Sequence, residues 1–481
     1  MEQNEKTEKK STRSRKNREY TVIAYFFLII FIAMIAYFVY FQFVISETFI
    51  NSPYNSLQNL FSERVVRGPI ISSDGKVLAE TKVSKDGTER RVYPYENMYA
   101  HVVGYAVNGK SGLENQCNFD LLRSHQFFLE QIFDDISGKK SEGDAVVTTL
   151  DSKLQEAAYK ALGTYDGAVL VLEPTTGKIL TMVSKPDFNP ETIAQNWESI
   201  NSSESSVLYN RATQGKYAPG SVFKIFTALE YYREHPKSYQ KYSYDCTSSI
   251  SVDGHVIHCA GNKVHGKEDL KSSFAHSCNA SFANLGLEVN NDSLQKTCED
   301  LLFNKDLPIA FESSKSKFTL TNSDPSALTM QTCIGQGNTM VSPLHMAMVA
   351  GAICNDGELM TPYLVDHTEN ANGVLIHENE PMVNRTLLSK KEAKVLESFM
   401  EAVVTDGTGS KLNGQSYKAY GKTGTAQVSD SLDQTNAWFV GYAKKEGYQD
   451  IAIAVVVENS GAGSTYAVPI AKQVFDVHFN K

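Results

Sequence analysis

A serine and a lysine three positions apart stand out in this chain because together they could activate a nucleophile. Pro219-Gly220 breaks the chain and an apolar run follows at once, which predicts a helix that begins near Ser221 and carries Lys224 on the same face. A lysine held in its neutral form beside a serine hydroxyl can take the hydroxyl proton. Peptide N–H groups at a helix start can also stabilise an oxyanion. The pair Ser221–Lys224 is therefore a candidate nucleophile and base.

The Ser-x-x-Lys spacing is not specific by itself. It recurs at Ser73–Lys76, Ser137–Lys140, Ser238–Lys241 and Ser314–Lys317. Such a motif remains a hypothesis until its structural context is met. Two motifs further along the chain supply that context.

Both downstream motifs place hydrogen-bonding side chains near predicted secondary structure. Ser277-Cys278-Asn279 lies in a mostly helical segment, where a helix cap is the simplest role for serine and asparagine. Lys422-Thr423-Gly424-Thr425 precedes an apolar strand, and its two threonines would present hydroxyls on one face. The glycine would let another backbone approach closely. With the lysine charge this group suits a substrate carboxylate; a surface lysine on an edge strand is the alternative.

The ordered set Ser-x-x-Lys, Ser-x-Asn and Lys-Thr-Gly is far more specific than any of its parts and is typical of β-lactamases and penicillin-binding proteins. The chain resembles the class B penicillin-binding proteins, which are peptidoglycan D,D-transpeptidases. The resemblance covers residues 20–475 and departs from the family pattern at Ser72-Ser73, where Asp-Arg is usual, which leaves the packing of that hairpin open. Longer stretches that carry it are Arg67-Gly68-Pro69-Ile70, Gly112-Leu113-Glu114, Ala218-Pro219-Gly220, Gly335-Gln336-Gly337 and Gly421 to Gln427.

The resemblance implies a two-step acyl transfer. Ser221 would attack the carbonyl between the two terminal D-alanines of a stem peptide while Lys224 takes its proton, and both burial and the nearby Lys422 are expected to lower the pKa of Lys224. Ser277 would relay a proton to the departing D-alanine, and the amine of a second stem peptide would resolve the acyl-enzyme. The remaining groups implied to bind substrate are Asn279 for its amide, Lys422, Thr423 and Thr425 for its terminal carboxylate, and the backbone N–H groups of Ser221 and Thr425 for its oxyanion. Gly424 belongs to the same catalytic motif.

Two alternative functions belong to the same fold. A serine β-lactamase uses the same chemistry but hydrolyses its acyl-enzyme quickly, which requires a positioned water and a base, and no second motif in the sequence offers that base. A β-lactam sensor should carry a cytoplasmic signalling domain, for which a 20-residue tail has no room. An inactive scaffold is disfavoured because every catalytic position is filled.

The amino-terminal region predicts a membrane anchor. Residues 1–20 carry seven basic against four acidic side chains, a balance of +3, so with a total of −9 the remainder of the chain carries −12, which argues against a nucleic-acid partner. Thr21 to Ile45 has no charged residue and exceeds the roughly 20 residues needed to cross a bilayer. No small-residue cleavage site follows, so an uncleaved signal anchor is favoured over a cleaved signal peptide or a core helix. The catalytic domain of this single-pass cell-membrane protein would then be extracytoplasmic.

The pattern divides the chain into four parts: a cytoplasmic basic tail (1–20), a transmembrane signal anchor (21–45), a membrane-proximal pedestal resembling a dimerisation domain (46–150) and a transpeptidase domain (151–481). In the pedestal, the Asp-Gly turn at 74–75 predicts a hairpin between residues 67–71 and 76–79. Helical spacing extends from Leu121 to Phe133.

The main domain is predicted to be α+β, with an antiparallel sheet built from both of its ends, flanking helices and a helical subdomain between them. This is the fold of penicillin-binding and serine β-lactamase-like transpeptidases that the resemblance implies. The predicted elements are a helix at Lys153–Leu162, strands at Ala168–Leu172, Lys178–Val183, Ala437–Gly441 and Ile451–Glu458, and a closing helix at Tyr466–Phe475.

Three cysteines and a histidine have the spacing of a metal site. Cys246, Cys259, His265 and Cys278 are 13, 6 and 13 positions apart, bracket an Asp-Gly hairpin turn at 253–254 and form a complete ligand set for structural zinc. Some class B relatives carry zinc with ligands at matching positions. A Cys246–Cys259 disulfide in an oxidising compartment and free buried thiols are the alternatives. His255 and His258 are expected to face solvent.

The resemblance also implies the ligands and partners. These are peptidoglycan stem peptides, β-lactam antibiotics, the membrane and, through the membrane helix and pedestal, a glycosyltransferase of the SEDS type. No organic cofactor is expected. The sequence leaves open whether the role is in cell elongation, which determines cell shape, in cell division or in sporulation.

Overall fold

The structure, a computed structural model, describes residues 2–41, 62–127, 130, 136–202, 206–428 and 434–480. The chain divides into two compact units, Met1–Leu60 and Phe61–Lys481. In the first unit a helix, Glu2–Tyr40, contains the apolar segment Tyr20–Tyr40, with a mean hydropathy of 2.8 and its residues exposed. At 1.5 Å per residue this segment is long enough to cross a bilayer. The predicted anchor, residues 21–45, is thus helical where the structure describes it, and residues 42–45 lie outside the description.

The second unit contains most of the secondary structure. The strands are β1 (Val65–Val66), β2 (Ile70–Ile71), β3 (Val77–Val83), β4 (Glu89–Val92), β5 (Ser141–Glu142), β6 (Ala145–Thr148), β7 (Gly167–Leu172), β8 (Ile179–Lys185), β9 (Tyr244–Cys246), β10 (Ser249–Val252), β11 (His255–His258), β12 (Gly266–Glu268), β13 (Glu358–Met360), β14 (Val365–Glu369), β15 (Leu375–Glu378), β16 (Val383–Thr386), β17 (Lys418–Gln427), β18 (Thr435–Lys444) and β19 (Ile451–Val457). The helices, numbered from the amino-terminal one, are α1 (Glu2–Tyr40), α2 (Ala100–Val103), α3 (Gly112–Gln116), α4 (Asn118–Leu121), α5 (Ser152–Leu162), α6 (Trp197–Asn201), α7 (Lys224–Glu234), α8 (Leu270–Ala275), α9 (Asn279–Glu288), α10 (Asn291–Asp300), α11 (Ser326–Cys333), α12 (Pro343–Cys354), α13 (Lys390–Thr405) and α14 (Gly463–Phe479).

The main sheet joins strands from both ends of the predicted transpeptidase domain. Its five strands are all antiparallel in the order β17-β18-β19-β7-β8. In β7, Leu170 belongs to the core on one face of the sheet, whereas Val169 and Val171 belong to the core on the other. Helices α5 and α14 cover the second face, and α12, whose twelve residues are all buried, covers the first. The predicted α+β sheet and its helical layers are confirmed, and β17 is left as an edge strand.

The helical subdomain fixes the segment that carries the candidate nucleophile. Phe223 and Phe226, in the turn and helix that follow Ser221, pack against Phe303 and Phe318, with ring centroids 5.6 Å apart for Phe223–Phe318 and 5.0 Å apart for Phe226–Phe303. All four rings are buried. Aromatic contacts of this kind contribute about 0.5–1.5 kcal/mol each beyond the burial of their area. The beginning of α7 is therefore held in place by the packing of these buried rings.

The pedestal is organised around a six-stranded sheet in the order β15-β14-β6-β2-β3-β4. The predicted hairpin is present as β2 and β3, and the departure at Ser72-Ser73 is accommodated there. Ser72 is fully buried, donates to Asp74 at 2.7 Å and accepts from the Lys76 N–H at 2.9 Å, while Ser73 donates to the Leu150 carbonyl at 2.8 Å. The Ser72 hydroxyl thus closes the turn, and the Ser73 hydroxyl joins it to Leu150.

The helix predicted from Leu121 to Phe133 is wrong over residues 122–127, whereas Glu130 is helical, as predicted. Helix α4 ends at Leu121, and residues 123–127 are not helical; residues 128–129 and 131–135 lie outside the description. Asp144 explains the difference. Its N–H donates to the Arg123 carbonyl, and its carboxylate accepts from the His125 N–H at 3.0 Å, so the backbone groups that a helix would use are bonded to the chain before β6.

Candidate active site

Ser221 lies in a 3₁₀ turn, Gly220–Phe223, that continues directly into α7 at Lys224. The predicted helix start is confirmed, and its first turn is tighter than an α-helix. The Gly220 N–H donates to the Gly335 carbonyl at 2.8 Å, which ties the turn to the Gly-Gln-Gly stretch. Ser221 is half-buried, whereas Val222 and Phe223, the next two residues of the turn, are completely buried. The hydroxyl thus stands at the surface of a rigid core.

Lys224 is fully buried and makes its hydrogen bonds with the Ser-x-Asn motif. Its Nζ donates to the Ser277 carbonyl at 2.7 Å, to Asn279 Oδ1 at 2.8 Å and to Ser277 Oγ at 3.3 Å. Burial lowers the pKa of Lys224 to about 7, although the thiols of Cys278 and Cys259 act in the opposite direction. A substantial fraction of this amine is therefore neutral near neutral pH, as a general base requires.

Lys422, on the edge strand β17, also contacts the Ser277 hydroxyl. Its Nζ donates to Ser277 Oγ at 2.9 Å and to the Thr423 carbonyl at 3.1 Å. Burial, and then the charge of Lys224, hold the pKa of Lys422 well below its usual range. Burial is the larger cause at both lysines, and because repulsion between two buried ammonium groups is mutual, it disfavours charging both of them at once.

Strand β17 packs directly against the serine turn. A Cβ built on Gly424 would lie 3.0 Å from the Pro219 carbonyl oxygen and 3.1 Å from Val222 Cγ1. The next strand adds a hydrogen bond, from Trp438 Nε1 to the Ala218 carbonyl at 3.1 Å. Glycine in the Lys-Thr-Gly motif therefore permits the close approach that was predicted for it. The three motifs, distant in the sequence, meet around Ser277 and the Ser221 turn.

The two threonines of β17 differ in exposure. Thr425 is exposed, and its Oγ1 accepts from the Gly463 N–H at 3.4 Å. Thr423 is only 5% exposed, and its Oγ1 lies 2.5 Å from the Oγ1 of Thr408. No sequence motif includes Thr408. Its only signal is the Asp-Gly-Thr-Gly stretch after α13, which predicts a turn and nothing more.

Asn279 is oriented by the candidate base and by a neighbouring hairpin. Its Oδ1 accepts from Lys224, and its Nδ2 donates to the His258 carbonyl at 3.0 Å. The hairpin β10–β11 turns at Asp253-Gly254, and both residues have positive φ, as predicted for an Asp-Gly turn. His255 and His258 are exposed on it, as expected.

The predicted metal ligands come together beside the Ser-x-Asn motif. The ligand atoms of Cys246, Cys259, His265 and Cys278 all lie within 4.8 Å of one another. The Sγ atoms are 3.6 Å apart for Cys246–Cys259 and 3.7 Å apart for Cys259–Cys278, and His265 Nδ1 is 3.5 Å from Cys246 Sγ. Four such ligands form a possible metal site. Cys278 is also the N-cap of α9, where its side chain accepts from the Ser281 N–H.

The sulfur distances separate a disulfide from the other two alternatives, a metal site and free buried thiols. A disulfide requires about 2.05 Å between sulfurs. Zn–S bonds of about 2.3 Å at tetrahedral angles place two sulfurs about 3.8 Å apart. The described residues include all seven cysteines, and these form no disulfide. The geometry of the cluster therefore fits a tetrahedral ion better than a Cys246–Cys259 disulfide.

Comparison with known proteins identifies the family. Residues 167–476 match the penicillin binding protein transpeptidase domain, and residues 67–146 match the penicillin binding protein A dimerisation domain. Peptidoglycan D,D-transpeptidase PbpA of Mycolicibacterium smegmatis is 32% identical over 439 residues, which cover 84% of this chain and 87% of the relative. The chain therefore belongs to the penicillin-binding protein transpeptidases, a family of serine acyl-transfer enzymes.

Solved structures agree with this assignment. The D,D-transpeptidase domain of a peptidoglycan glycosyltransferase from Eggerthella lenta matches with a TM-score of 0.76 at 30% identity, covering 87% of this chain and 100% of that chain. Penicillin-binding protein A from M. tuberculosis, solved as a ceftriaxone acyl-enzyme complex, matches with a TM-score of 0.79 at 26% identity, covering 88% and 100%. The predicted transpeptidase fold and the resemblance are confirmed.

Proposed function

We propose that this protein is a membrane-anchored D,D-transpeptidase that cross-links peptidoglycan stem peptides through an acyl-enzyme on Ser221 and is inhibited covalently by β-lactams. The observation that carries the proposal is the convergence of two buried lysines, Lys224 and Lys422, on the Ser277 hydroxyl beside the Ser221 turn. Relatives named as D,D-transpeptidases and a β-lactam acyl-enzyme structure of the same fold support it.

Acylation begins with proton transfer from Ser221. Neutral Lys224 takes the proton, and Ser221 Oγ bonds to the carbonyl carbon between the two terminal D-alanines. The backbone N–H groups of Ser221 and Thr425 stabilise the oxyanion, because the Gly220–Thr425 contact brings these backbone segments together. When the C–N bond breaks, Ser277 Oγ gives its proton to the departing amine and receives one from Lys224, with which it already shares a hydrogen bond.

The same groups orient the substrate. Lys422, Thr423 and Thr425 bind the terminal carboxylate, which compensates for the buried lysine charge as the complex forms. Asn279 binds the substrate amide from a side chain already fixed by two hydrogen bonds. The amine of a second stem peptide then attacks the ester carbonyl, and Ser221 leaves with its proton restored. This transfer restores the free enzyme.

Covalent labelling tests the nucleophile. Full-length protein in detergent should bind a fluorescent penicillin, and Ser221→Ala should abolish the label. Ser137→Ala is the matched control, because Ser137 belongs to another Ser-x-x-Lys pair and is exposed; it should label normally. Labelling of the Ser221→Ala protein at a different serine would refute the assignment. A long-lived penicilloyl-enzyme supports the transpeptidase, whereas rapid release of penicilloic acid supports the β-lactamase alternative.

We also infer that Cys246, Cys259, His265 and Cys278 hold a structural zinc ion. Bound there, zinc would link the paired strands β9 and β12 and the β10–β11 hairpin to Cys278 and so stabilise the Ser277–Asn279 turn. Elemental analysis should find about one zinc per protein, as expected for a closed four-ligand site. Cys259→Ser should lose the metal, and His255→Ala, in an exposed hairpin residue, should retain it. Purified protein without zinc and with two thiols resistant to alkylation would favour the disulfide.

The membrane arrangement is proposed from α1. Its exposed apolar segment, Tyr20–Tyr40, supports a single-pass anchor, with the basic tail in the cytoplasm and the pedestal (46–150) and transpeptidase domain (151–481) outside. The family matches at 67–146 and 167–476 support these two domains. A SEDS-type glycosyltransferase is the proposed partner of the helix and pedestal, and co-purification from solubilised membranes that is lost when α1 is replaced would support it.

A further inference from the structure

A short turn after α13 connects two of the catalytic motifs. Residues Asp406–Gly409, here called the 406–409 turn, lie between the end of α8 and strand β17. On one side the Thr408 N–H donates to the Ala275 carbonyl at 3.2 Å, two residues before Ser277. On the other side Thr408 Oγ1 lies 2.5 Å from Thr423 Oγ1. The turn therefore contacts both the Ser-x-Asn segment and the Lys-Thr-Gly strand.

The position of this turn is strongly constrained. A Cβ on Gly407 would lie 2.2 Å from the Ala275 carbonyl oxygen, so only glycine allows the turn to approach α8 this closely. The Gly409 N–H donates to the Val403 carbonyl at 2.9 Å, which fixes the other end of the turn to α13. Helix α13 itself packs on both α8 and β17. The Thr408 hydroxyl is thus held by three elements around the site.

The hydroxyl pair has a definite role if Thr423 binds a carboxylate. Each threonine hydroxyl has one proton to donate. A carboxylate accepts only, so it requires the Thr423 proton, and Thr408 must then be the donor of the hydrogen bond between the two threonines. Donation from Thr408 polarises the Thr423 hydroxyl and strengthens its bond to the anion. Thr408 is half-buried and Thr423 is 5% exposed, so the pair is largely shielded from competing water.

We propose that Thr408 is a positioning residue that orients the Thr423 hydroxyl toward the terminal carboxylate of the substrate. This inference rests on the proposed function. It assigns part of the specificity for a free carboxyl terminus to the 406–409 turn, which lies outside all three motifs. Thr408→Val removes the hydroxyl at nearly constant volume, whereas Thr408→Ser retains it.

A pair of thioester substrates tests the proposal. Both are acyl-D-alanyl thioglycolates, one ending in a carboxylate and the other in a carboxamide, and release of the thiol reports kcat/KM. Thr408→Val in the full-length protein should lower kcat/KM for the carboxylate substrate about tenfold, the effect of weakening one hydrogen bond to a charged group, and leave the carboxamide within about twofold. Thr408→Ser should behave like the parent protein.

A control variant and a double variant test whether Thr408 acts through Thr423. Thr405→Val is the matched control: Thr405 is exposed on the last turn of α13 and donates only to its own helix, at Glu401, so both substrates should be unaffected. In a Thr423→Val background, Thr408→Val should cause no further loss of selectivity. Equal losses on both substrates, or no loss on either, would overturn the proposal. If the unmodified protein cleaved neither thioester, the proposed function would be wrong instead.

Discussion

Two regions of this molecule bury positive charge, and they accommodate it in opposite ways. In the pedestal, Arg67 Nε donates to Glu114 at 2.6 Å and Arg91 Nε donates to the same carboxylate at 2.7 Å, which is fully buried between them. In the active site, Lys224 and Lys422 are equally buried, but the hydrogen-bond partners described for them are the neutral oxygens of Ser277, Asn279 and Thr423.

The comparison shows how burial can produce either an ion cluster or a reactive base. Burial by itself opposes ionisation of Glu114, but the two arginines outweigh it and lower the pKa of the carboxyl group. The hydrogen-bond partners described for the two lysines are neutral, and the Cys259 and Cys278 thiols do not outweigh burial at Lys224, so burial lowers both pKa values instead. In the pedestal, Glu114 and its two arginines form a buried ion cluster. In the active site, burial without a paired carboxylate leaves a lysine that can act as a base beside a site for an anionic substrate.

Removing the base should give the largest effect on activity. Lys224→Met should slow acylation of Ser221 by penicillin by about 10²–10⁴-fold, the usual contribution of general base catalysis. The melting temperature should change little, because removing a buried amine offsets the loss of its hydrogen bonds to Ser277 and Asn279. Stopped-flow acylation and thermal unfolding measure the two quantities.

The control for this change is Lys241→Met, in an exposed lysine of another Ser-x-x-Lys pair, which should acylate at the parent rate. A Lys224→Met protein that acylated as fast as its parent would show that another group activates Ser221.

Breaking the compensated cluster should instead affect stability. Glu114→Gln leaves two buried arginines without their anion and should cost about 3–5 kcal/mol of unfolding free energy. The acylation rate of the folded fraction should change little. Denaturant unfolding measures the loss, and Glu80→Gln, in an exposed ion pair with Lys82, should stay within about 0.5 kcal/mol of the parent. A stable Glu114→Gln protein would remove the distinction between the two regions.

The pH dependence should follow from the neutral lysine. Lys224 must lose its proton to act as a base, and its pKa is about 7. The acylation rate should therefore rise about tenfold per pH unit below that value and level off above it. The same group should make the protein more stable as pH rises from about 7 toward 10.5, because over that range the unfolded lysine binds more proton than the folded one. A rate independent of pH between 5 and 8 (roughly two decades of expected change) would contradict the role of Lys224.

The smallest effect is expected at the pedestal hairpin. Ser72→Ala removes the acceptor of the Lys76 N–H at the buried first residue of an otherwise exposed turn and should cost about 1 kcal/mol. Ser73→Ala should cost less, because Ser73 is exposed and its backbone N–H also donates to Leu150. Equal costs measured by denaturant unfolding would contradict this account of how the two serines replace Asp-Arg.

Local sequence patterns predicted four strands of the main sheet, the Asp-Gly hairpin turns and the members of each motif. The continuous apolar runs of β7 and β19 and the Asp-Gly turns at 74–75 and 253–254 need no distant information. The ordered motifs predicted a shared site, and the structure brings Lys224, Ser277 and Lys422 within hydrogen-bonding distance.

Features that depend on distant contacts were not predictable. Thr408 lies in a stretch that indicates only a turn, and its partner Thr423 is known only from the packing of α13 on β17. Strand β14 pairs with β6 in the pedestal sheet although more than 200 residues separate them. The helical spacing after Leu121 is overridden by bonds to Asp144. In each case a contact made elsewhere decides the local structure.

Peptide mapping by mass spectrometry after exposure to penicillin tests the central claim most directly. Full-length protein should carry one penicilloyl group, on the peptide that contains Ser221, and the adduct should persist long after free penicillin is removed. The Lys224→Met protein should acquire the same adduct far more slowly. An adduct on another serine, or equal rates for the two proteins, would contradict the claim that a buried neutral lysine activates Ser221.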